Sequence, residues 1–447
     1  MSPSESIVAQ RCVLVLPSTG EFDSRTFRIA SSLSARGHAV TVIARQAPEL
    51  AVSEVHPSGY RIVRVPVSAL TGLPAVLRPL VRGLRRGPDR PDGPDAPGSS
   101  PTAMSAAPSR GRLARLRRTL AGFSRLGAIA LTVRSQRLAS HRAAPIADLV
   151  HAMAYMGIPV GLDLGRRDRA PVIYDARDIY IDAANLARLP RPARSVFGWV
   201  ERRWARSASR VITVNDPYAD VMAIRFGTER PLVVLNCSYR RPPDKVKPRR
   251  FHERLGLAPA VRVVLYQGAF SRDRGIEQLI ESLAALPSDV VLAVLGYGVL
   301  RAELERTAAD PALSGRLFIL PAVAPTELLE WVASADVVAM PIQPTTLNHR
   351  LTTPNKLLEA MAAGVPVVAS DLPGMAPIVQ ATGCGVVCDP TDPAALAGAI
   401  RSIFDLSDAE RAAMVGRALQ AAHDTYNWES QMAILLAEYG RLSGQPW

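Results

Sequence analysis

Residues 349–373 read HRLTTPNKLLEAMAAGVPVVASDLP, and this segment predicts a helix followed directly by a strand. Thr353 is placed to cap a helix whose first residue is Pro354, because a Thr hydroxyl accepts from free amides and Pro suits the first helical position. The apolar spacing carries this helix to about Gly364, and the β-branched run from Val365 to Ala369 predicts a buried strand. A helix and a strand in direct succession are the repeating unit of an α/β fold.

The same alternation runs through most of the chain. Short, continuous apolar runs between helical segments are typical of parallel strands covered on both faces. Further strands are predicted at Val13–Leu16, Val40–Ile43, Leu149–His151, Val172–Tyr174, Val211–Val214, Val263–Tyr266, Val290–Leu295, Leu317–Leu320 and Val337–Met340. The pattern predicts an α/β protein with two Rossmann-like domains at 1–240 and 259–422, a linker at 241–258, and a terminal helix within 423–447 that packs back on the first domain.

Composition narrows the class of protein. The chain has 447 residues and a formal net charge of +13, which favours an anionic partner such as a phosphate, a nucleic acid or a lipid surface. Residues 1–10 lack an apolar signal-peptide core, and no run reaches the roughly 18 apolar residues that span a bilayer. A cytoplasmic protein is expected. No C-x-x-C pair or Cys/His spacing of a zinc site occurs among Cys12, Cys237, Cys384 and Cys388.

Two segments interrupt the alternation. Residues 87–108 are rich in Pro, Gly, Asp, Ser and Ala, and we expect a disordered insertion there. Residues 105–147 contain nine arginines and no acidic residue. Two interpretations remain open for this basic segment: a helix packed on the first domain with a solvated basic face, or an interfacial helix attracted to anionic lipid. Apolar residues recur at helical spacing at Leu113, Leu116, Leu120, Phe123 and Leu126.

The helix within residues 349–373 also predicts a binding site. A helix N-terminus attracts anions, because its free amides and the positive end of its dipole point the same way. The amides around Asn355 and Lys356 therefore suit a diphosphate. Glu359 follows one turn later, where a carboxylate can accept from two ribose hydroxyls. The alternative is an ordinary capped helix that exposes Lys356 and Glu359.

Further motifs follow in a fixed order along the chain. In the first half they are Asp23-Ser24-Arg25, Gly37-His38-Ala39-Val40, Tyr174-Asp175-Ala176-Arg177-Asp178, Val200-Glu201-Arg202-Arg203 and Val234-Leu235-Asn236-Cys237. In the second half they are Tyr266-Gln267-Gly268-Ala269, Arg272, Arg274-Gly275, Leu295-Gly296-Tyr297-Gly298, Leu320-Pro321-Ala322-Val323 and Ser334-Ala335-Asp336. With the Glu359 segment, this ordered set resembles family four of the retaining glycosyltransferases over most of the chain outside residues 75–145.

The resemblance implies the GT-B fold, with two Rossmann-like domains facing a central cleft. It also implies that Arg274, helped by Arg272, pairs with a nucleotide diphosphate. Val323 would lie beside the base, and Glu359 would hold the ribose. The implied donor-binding residues are Gly20, Gly268, Arg272, Arg274, Val323, Asn348, His349, Asn355, Lys356 and Glu359.

The sequence departs from the family pattern at the donor sugar. Members typically carry a Glu eight residues before Glu359, where this chain has Leu351. The Asn355-Lys356 pair fits a subset that lacks this Glu, so Asn348 or His349 would read the sugar hydroxyls instead.

Two other family positions also differ. Ala269 replaces an Arg that often follows the glycine, and this leaves Arg272 to substitute for it. His151 is a candidate for the His that contacts the donor sugar, although Met153 occupies what is taken as the usual place. A buried, hydrogen-bonded core histidine is the equal alternative for His151.

Asp175 and Asp178 follow the predicted strand that ends at Tyr174. Ligands of open α/β sheets bind at the carboxyl ends of strands, so either carboxylate is a candidate to orient an acceptor hydroxyl or to act as its base. The alternative is a structural ion pair with Arg177 or Arg202. The catalytic candidates are therefore His151, Asp175 and Asp178.

The sequence thus predicts a retaining, metal-independent hexosyltransferase that uses a UDP-sugar in preference to a GDP-sugar. The nucleotide diphosphate sugar is a co-substrate, and no cofactor is expected. The expected acceptor is a glycan, a lipid-linked molecule or a small molecule. Contact with the inner face of an anionic membrane stays open. No nucleic acid is expected as a partner. Two rival functions remain: a sugar-nucleotide 2-epimerase of the same fold, and a basic membrane- or nucleic-acid-binding protein with an inactive donor site.

Overall fold

Two parallel sheets organise the chain in the computed structural model, which describes residues 9–21, 23–70, 111–240 and 247–447. The chain divides into two compact units. The first unit comprises the residues up to Thr213 together with Ala219–Leu232 and Leu436–Trp447. The second unit comprises Val214–Tyr218 and Val233–Leu435. The predicted insertion at 87–108 and residues 241–246 of the predicted linker lie outside the described residues.

The first sheet has eight strands in the order β3-β4-β2-β1-β5-β6-β7-β8. The strand β1 lies between β2 and β5 and is parallel to both, whereas β3 pairs antiparallel with β4 at one edge. The strands are β1 Arg11–Val15, β2 Ala39–Arg45, β3 Ser53–Val55, β4 Arg61–Val65, β5 Leu149–Met153, β6 Val172–Asp175, β7 Arg210–Thr213 and β8 Leu232–Val233.

The helices between these strands include one that is much longer than the rest. This helix, α2, has 33 residues and contains most of the arginine-rich segment. The helices are α1 Ser24–Ser34, α2 Gly111–Ala143, α3 Ala154–Asp168, α4 Ala184–Ala187, α5 Arg191–Ser207 and α6 Asp216–Phe226, and a 3₁₀ turn spans Tyr180–Asp182.

The second sheet has six strands, all parallel, in the order β11-β10-β9-β12-β13-β14. Alternate side chains of β9 enter two different apolar clusters: Val263 and Leu265 on one face, Val264 and Tyr266 on the other. Both faces of the sheet are therefore covered, as continuous apolar strands require. The strands are β9 Arg262–Ala269, β10 Val290–Tyr297, β11 Leu317–Pro321, β12 Val337–Met340, β13 Val367–Ser370 and β14 Gly385–Cys388.

Helices cover this second sheet and continue to the end of the chain. They are α7 Arg250–Leu255, α8 Ile276–Ser282, α9 Arg301–Ala308, α10 Leu328–Ala333, α11 Leu347–Leu351, α12 Asn355–Ala362, α13 Ala376–Thr382, α14 Pro393–Phe404, α15 Asp408–Asp424 and α16 Trp428–Ser443. Among the described residues, no helix is both long enough and apolar enough to cross a membrane.

The α/β prediction is confirmed, and each strand predicted from an apolar run is present within three residues of its expected ends. Four strands were not predicted: β3, β4, β8 and β14. All three residues of β3 are exposed, and β8 has only two residues, so neither shows a buried apolar run.

Candidate active site

The helix α12 begins differently from the prediction. Its first residue is Asn355, Pro354 is the capping residue, and no side chain of the described part of the chain caps it. The expected cap, Thr353, instead donates its hydroxyl hydrogen to the carbonyl oxygen of Gly374 at 2.6 Å. Thr353 therefore ties the helix start to a neighbouring loop, and the first amides of α12 remain available to a ligand.

Two charged side chains of α12, Lys356 and Glu359, are buried, which contradicts the alternative of an ordinary helix that exposes them. Glu359 accepts a 2.7 Å hydrogen bond at Oε2 from the Nε2 of Gln267, at the end of β9. The ammonium nitrogen of Lys356 lies 3.9 Å from the ring centroid of Tyr266. Because buried charges need partners, their placement on one helix favours a binding role.

The ammonium group of Lys356 loses its proton more easily than that of an ordinary lysine. Burial lowers its pKa from 10.5 to about 7, the nearby positive charge of Arg274 acts in the same direction, and Glu359 opposes both. An anion placed beside this ammonium group would restore its proton. Lys356 is therefore suited to respond to a phosphate group.

Gly268 lies at the end of β9 next to Lys356. Its φ angle of +124° favours glycine, and a Cβ atom built there would lie 3.6 Å from the Lys356 Nζ. Gly20, in the first unit, has a φ angle of +89°, and a Cβ atom there would approach protein atoms no closer than 3.8 Å. The backbone conformation, rather than crowding by protein atoms, is what requires glycine at position 20.

The loop after β9 carries the two predicted arginines. Arg274 is half-buried and lies close enough to lower the pKa values of both Lys356 and His349, whereas Arg272 is exposed. Asp273 between them has a φ angle of +67°, and its carbonyl oxygen accepts from the Gln343 amide at 3.0 Å. This turn separates the two guanidinium groups and brings only Arg274 toward α12.

His349 and Asn348 lie in the short helix α11. Thr346 caps this helix by accepting from the His349 amide at 3.1 Å, and Thr345 Oγ1 lies 2.9 Å from the ring Nδ1 of His349. Burial, followed by the positive charge of Arg274, lowers the pKa of His349. Asn348 is buried, and Val323, which follows β11, is half-buried against the apolar core.

In the first unit, two of the catalytic candidates form a buried network. Asp175 Oδ2 accepts from Arg25 Nε at 2.6 Å and lies 3.1 Å from His151 Nε2, while His151 Nδ1 lies 2.6 Å from the Tyr439 hydroxyl. All four side chains are at most 1% exposed. Since a carboxylate only accepts, His151 Nε2 carries the hydrogen and Nδ1 accepts from Tyr439.

Burial and neighbouring charges shift the pKa values of Asp175 and His151 in this network. Burial acts to raise the pKa of the Asp175 carboxyl, but Arg25 and His151 together hold it below its usual range. Burial lowers the pKa of His151 against the pull of Asp175. At neutral pH the network therefore contains an ionised carboxylate, a guanidinium group and a neutral imidazole.

The ion pairs differ from those expected. Arg177 pairs with Asp23, through contacts of 2.7 and 2.9 Å, and Arg25 takes its place on Asp175. Asp178 is half-buried, so it is the most accessible of the three catalytic candidates. Of the predicted residues, the structure brings together His151 with Asp175, Arg274 with Lys356 and His349, and Lys356 with Glu359.

Sequence reasoning missed Gln267 and Tyr266 as neighbours of the α12 charges, and Arg25 and Tyr439 as partners of Asp175 and His151. The two β9 residues had a usable signal, because they stand at the carboxyl end of a predicted strand beside Gly268. Tyr439 had no such signal, since 288 residues separate it from His151.

These sites lie within regions that resemble known families. Residues 23–237 match the family profile described as Glycosyl transferase 4-like domain, and residues 261–405 match that described as Glycosyl transferases group 1. The chain belongs to family four of the glycosyltransferases. A D-inositol 3-phosphate glycosyltransferase of Xylanimonas cellulosilytica is 28% identical over 326 residues, covering 70% of this chain and 76% of that protein.

Solved structures show the same fold. Sucrose-phosphate synthase from Thermosynechococcus elongatus has a TM-score of 0.67 at 19% identity, covering 97% of this chain and 99% of that one. HepE of Anabaena, in complex with UDP-glucose, has a TM-score of 0.60 at 19% identity, covering 96% and 99%. At such identities the similarity establishes the GT-B fold alone.

Proposed function

We propose that this chain transfers a hexose from a uridine diphosphate sugar to an acceptor hydroxyl, with retention at the anomeric carbon. The start of α12 carries the proposal: among described residues no side chain caps its amides, Lys356 is buried in its first turn, and the half-buried Arg274 lies close enough to lower the pKa of the Lys356 ammonium group. Free amides and two cations together suit a diphosphate. HepE, whose structure holds UDP-glucose, supports uridine as the base.

Each part of the donor has an assigned partner. The diphosphate binds the amides of Asn355 and Lys356, the Lys356 ammonium and Arg274, with Arg272 as an outer cation. Glu359, held by Gln267, accepts from the ribose hydroxyls. We assign Val323 to the base, and Asn348 and His349 to the sugar. Gly20 and Gly268 are assigned to let the backbone approach the donor closely.

The reaction breaks the bond between the anomeric carbon and a phosphate oxygen, and forms a bond from that carbon to the acceptor oxygen. Negative charge therefore develops on the leaving diphosphate, where Arg274, Lys356 and the α12 amides stabilise it. The acceptor hydroxyl loses its proton, and the accessible Asp178 is assigned to orient that hydroxyl or to take the proton. The buried pair of His151 and Asp175 positions the loop that carries Asp178.

A panel of UDP- and GDP-hexoses tests this function, each incubated with the full chain with and without acceptors. Because the Xylanimonas relative is named for D-inositol 3-phosphate, that compound belongs in the acceptor set. We expect UDP release from one UDP-hexose and an α- or β-linked product, matching the donor's anomer, only when an acceptor is present.

Other outcomes discriminate the rivals. An isomerised nucleotide sugar that forms without any acceptor would identify a 2-epimerase. If calorimetry detects no binding of UDP or GDP, the donor site is inactive and the proposal is wrong.

A further inference from the structure

The long helix α2 presents apolar side chains to solvent. Leu120, Phe123 and Leu138 are 59%, 41% and 46% exposed. Leu120 and Leu138 are eighteen residues, or about five turns, apart, so they face the same direction, and Phe123 lies about 60° around the helix. Arg134 falls within the same arc. Such a stripe is unusual on a solvated helix.

The opposite face of α2 holds the helix in the first unit. Val133 is buried, and the buried Gln136 donates from Nε2 to the Leu16 carbonyl oxygen at 2.7 Å. At Gly122 an added Cβ atom would lie 2.7 Å from Pro190 Cδ and 3.4 Å from Ala193 Cβ. The helix is therefore packed along one side, as one interpretation of the sequence predicted, and the apolar stripe is a separate surface.

Arginines surround the stripe. The helix contains no Asp or Glu, and its Arg137 is paired with Asp163 at 2.7 Å. The exposed arginines of α2 are Arg115, Arg117, Arg118, Arg125, Arg134 and Arg142. This concentration of positive charge, with no acidic residue on the same helix, attracts an anionic surface.

We propose that the exposed stripe of α2, formed by Leu120, Phe123 and Leu138 with the exposed arginines of that helix, docks on an anionic bilayer. The apolar side chains enter the headgroup boundary while the guanidinium groups bind lipid phosphates. A nucleic acid would satisfy the arginines but would leave the aliphatic side chains exposed, so the combination favours lipid. None of these residues is among those assigned to the donor.

Vesicle sedimentation of the full chain tests the docking. Phosphatidylcholine vesicles with and without phosphatidylglycerol are compared at low and high salt. We expect sedimentation with the anionic vesicles that weakens at high salt, and little with neutral ones. Neutralising two stripe-flanking arginines, Arg117→Gln with Arg134→Gln, should lower the partition coefficient by roughly 25-fold.

A second variant tests the contribution of the apolar side chains. Leu120→Ser with Phe123→Ser should also lower partitioning on anionic vesicles. Matched controls are Arg254→Gln with Arg306→Gln, and Val299→Ser, at exposed positions of the second unit. These controls should bind vesicles as the parent chain does. Unchanged melting temperatures and UDP affinity would show that the variants fold.

Three results would overturn the proposal. One is equal binding to neutral and anionic vesicles, and another is anionic binding that neither stripe variant weakens. The third is absence of vesicle binding together with a mobility shift of an RNA or DNA oligonucleotide, which would assign the surface to nucleic acid.

Discussion

Gln267 and Glu359 are joined by a 2.7 Å hydrogen bond, in which the amide Nε2 donates to the carboxylate Oε2. One residue stands at the end of β9 and the other in the middle of α12, 92 positions later. Both side chains are buried. An amide donor on one carboxylate oxygen fixes the rotation of the group, so the strand sets the direction in which the helix presents its charge.

This contact predicts a positioning role for Gln267. The substitution Gln267→Met keeps the side-chain volume but removes the donor, and we expect kcat/KM for the UDP-sugar to fall by roughly 5- to 30-fold, or about 1–2 kcal/mol. In a Glu359→Gln background the same substitution should have little further effect. Equal losses in the two backgrounds would mean that Gln267 does not act through Glu359.

Arg274→Ala should weaken UDP binding far more than uridine binding. A charge-assisted bond to phosphate contributes about 1.5–3 kcal/mol, so the UDP dissociation constant should rise roughly 10- to 150-fold. Arg306→Ala, at an exposed arginine of α9, is the matched control and should change neither affinity. If titration calorimetry finds similar losses for UDP and uridine, Arg274 is not beside the phosphates.

UDP affinity should depend on pH through Lys356. With a pKa of about 7, its ammonium form is lost from the free protein as the pH rises, and that form is the one that binds phosphate. We expect the UDP dissociation constant to increase between about pH 7 and about pH 9, by at most about tenfold per unit. The terminal phosphate, with a pKa of about 6, stays ionised in this range.

The matched variant for that experiment is Lys356→Gln. It should bind UDP more weakly at pH 7 and show an almost flat profile above it. A parent protein whose affinity does not change with pH, or a variant that retains the full pH dependence, would remove Lys356 from the phosphate site.

Asp175→Asn should destabilise the first unit, because it leaves the Arg25 guanidinium buried without its carboxylate. We expect a loss of about 3–5 kcal/mol in urea unfolding at pH 7. The Asp175 pKa is lower in the folded than in the unfolded state, so its stabilisation is complete above the unfolded value of about 3.9 and is lost progressively as the pH falls from there toward the folded-state pKa.

The variant should accordingly lose less stability than the parent chain on acidification. Asp220→Asn breaks the exposed pair with Arg230 and should cost under about 1 kcal/mol. Comparable losses for Asp175→Asn and Asp220→Asn would show that the buried network contributes little.

The sequence predicted the fold wherever a strand is buried on both faces. The strands β10 and β13 are continuous apolar runs because helices cover both sides of their sheet, and that pattern is visible in the sequence. The strand β4, which lies between the edge strand β3 and β2, instead carries Arg64, whose side chain is buried by bonds to the Ala51 carbonyl oxygen at 2.8 Å and to Glu54. Tertiary contacts create that strand's burial, so composition does not reveal it.

Within the candidate site, the sequence predicted the arrangement of residues that are close together in the chain. Asn355, Lys356 and Glu359 share one helix, and their spacing alone places them on neighbouring turns. It did not predict the role of Thr353, because whether a hydroxyl caps a helix or bonds to a loop depends on where Gly374 lies. Contacts between distant segments, such as Gln267 with Glu359, require the folded chain.

The assignment of the donor to α12 depends on a contact between Glu359 and the ribose, and the substitution Glu359→Gln probes this contact. A carboxylate accepts from both ribose hydroxyls, whereas an amide offers one acceptor and turns donors toward them. We expect kcat/KM to fall by roughly 30- to 1000-fold, or about 2–4 kcal/mol, at nearly unchanged melting temperature. Glu281→Gln, at an exposed glutamate of α8, is the matched control.

The decisive measurement compares the loss of kcat/KM caused by Glu359→Gln with the parent UDP-sugar and with its 2′,3′-dideoxy analogue. The analogue lacks the hydroxyls that the carboxylate would bind, so we predict a large loss with the parent donor and a much smaller one with the analogue. An equal loss with both donors would contradict the assignment of Glu359 to the ribose, and with it the placement of the donor on α12.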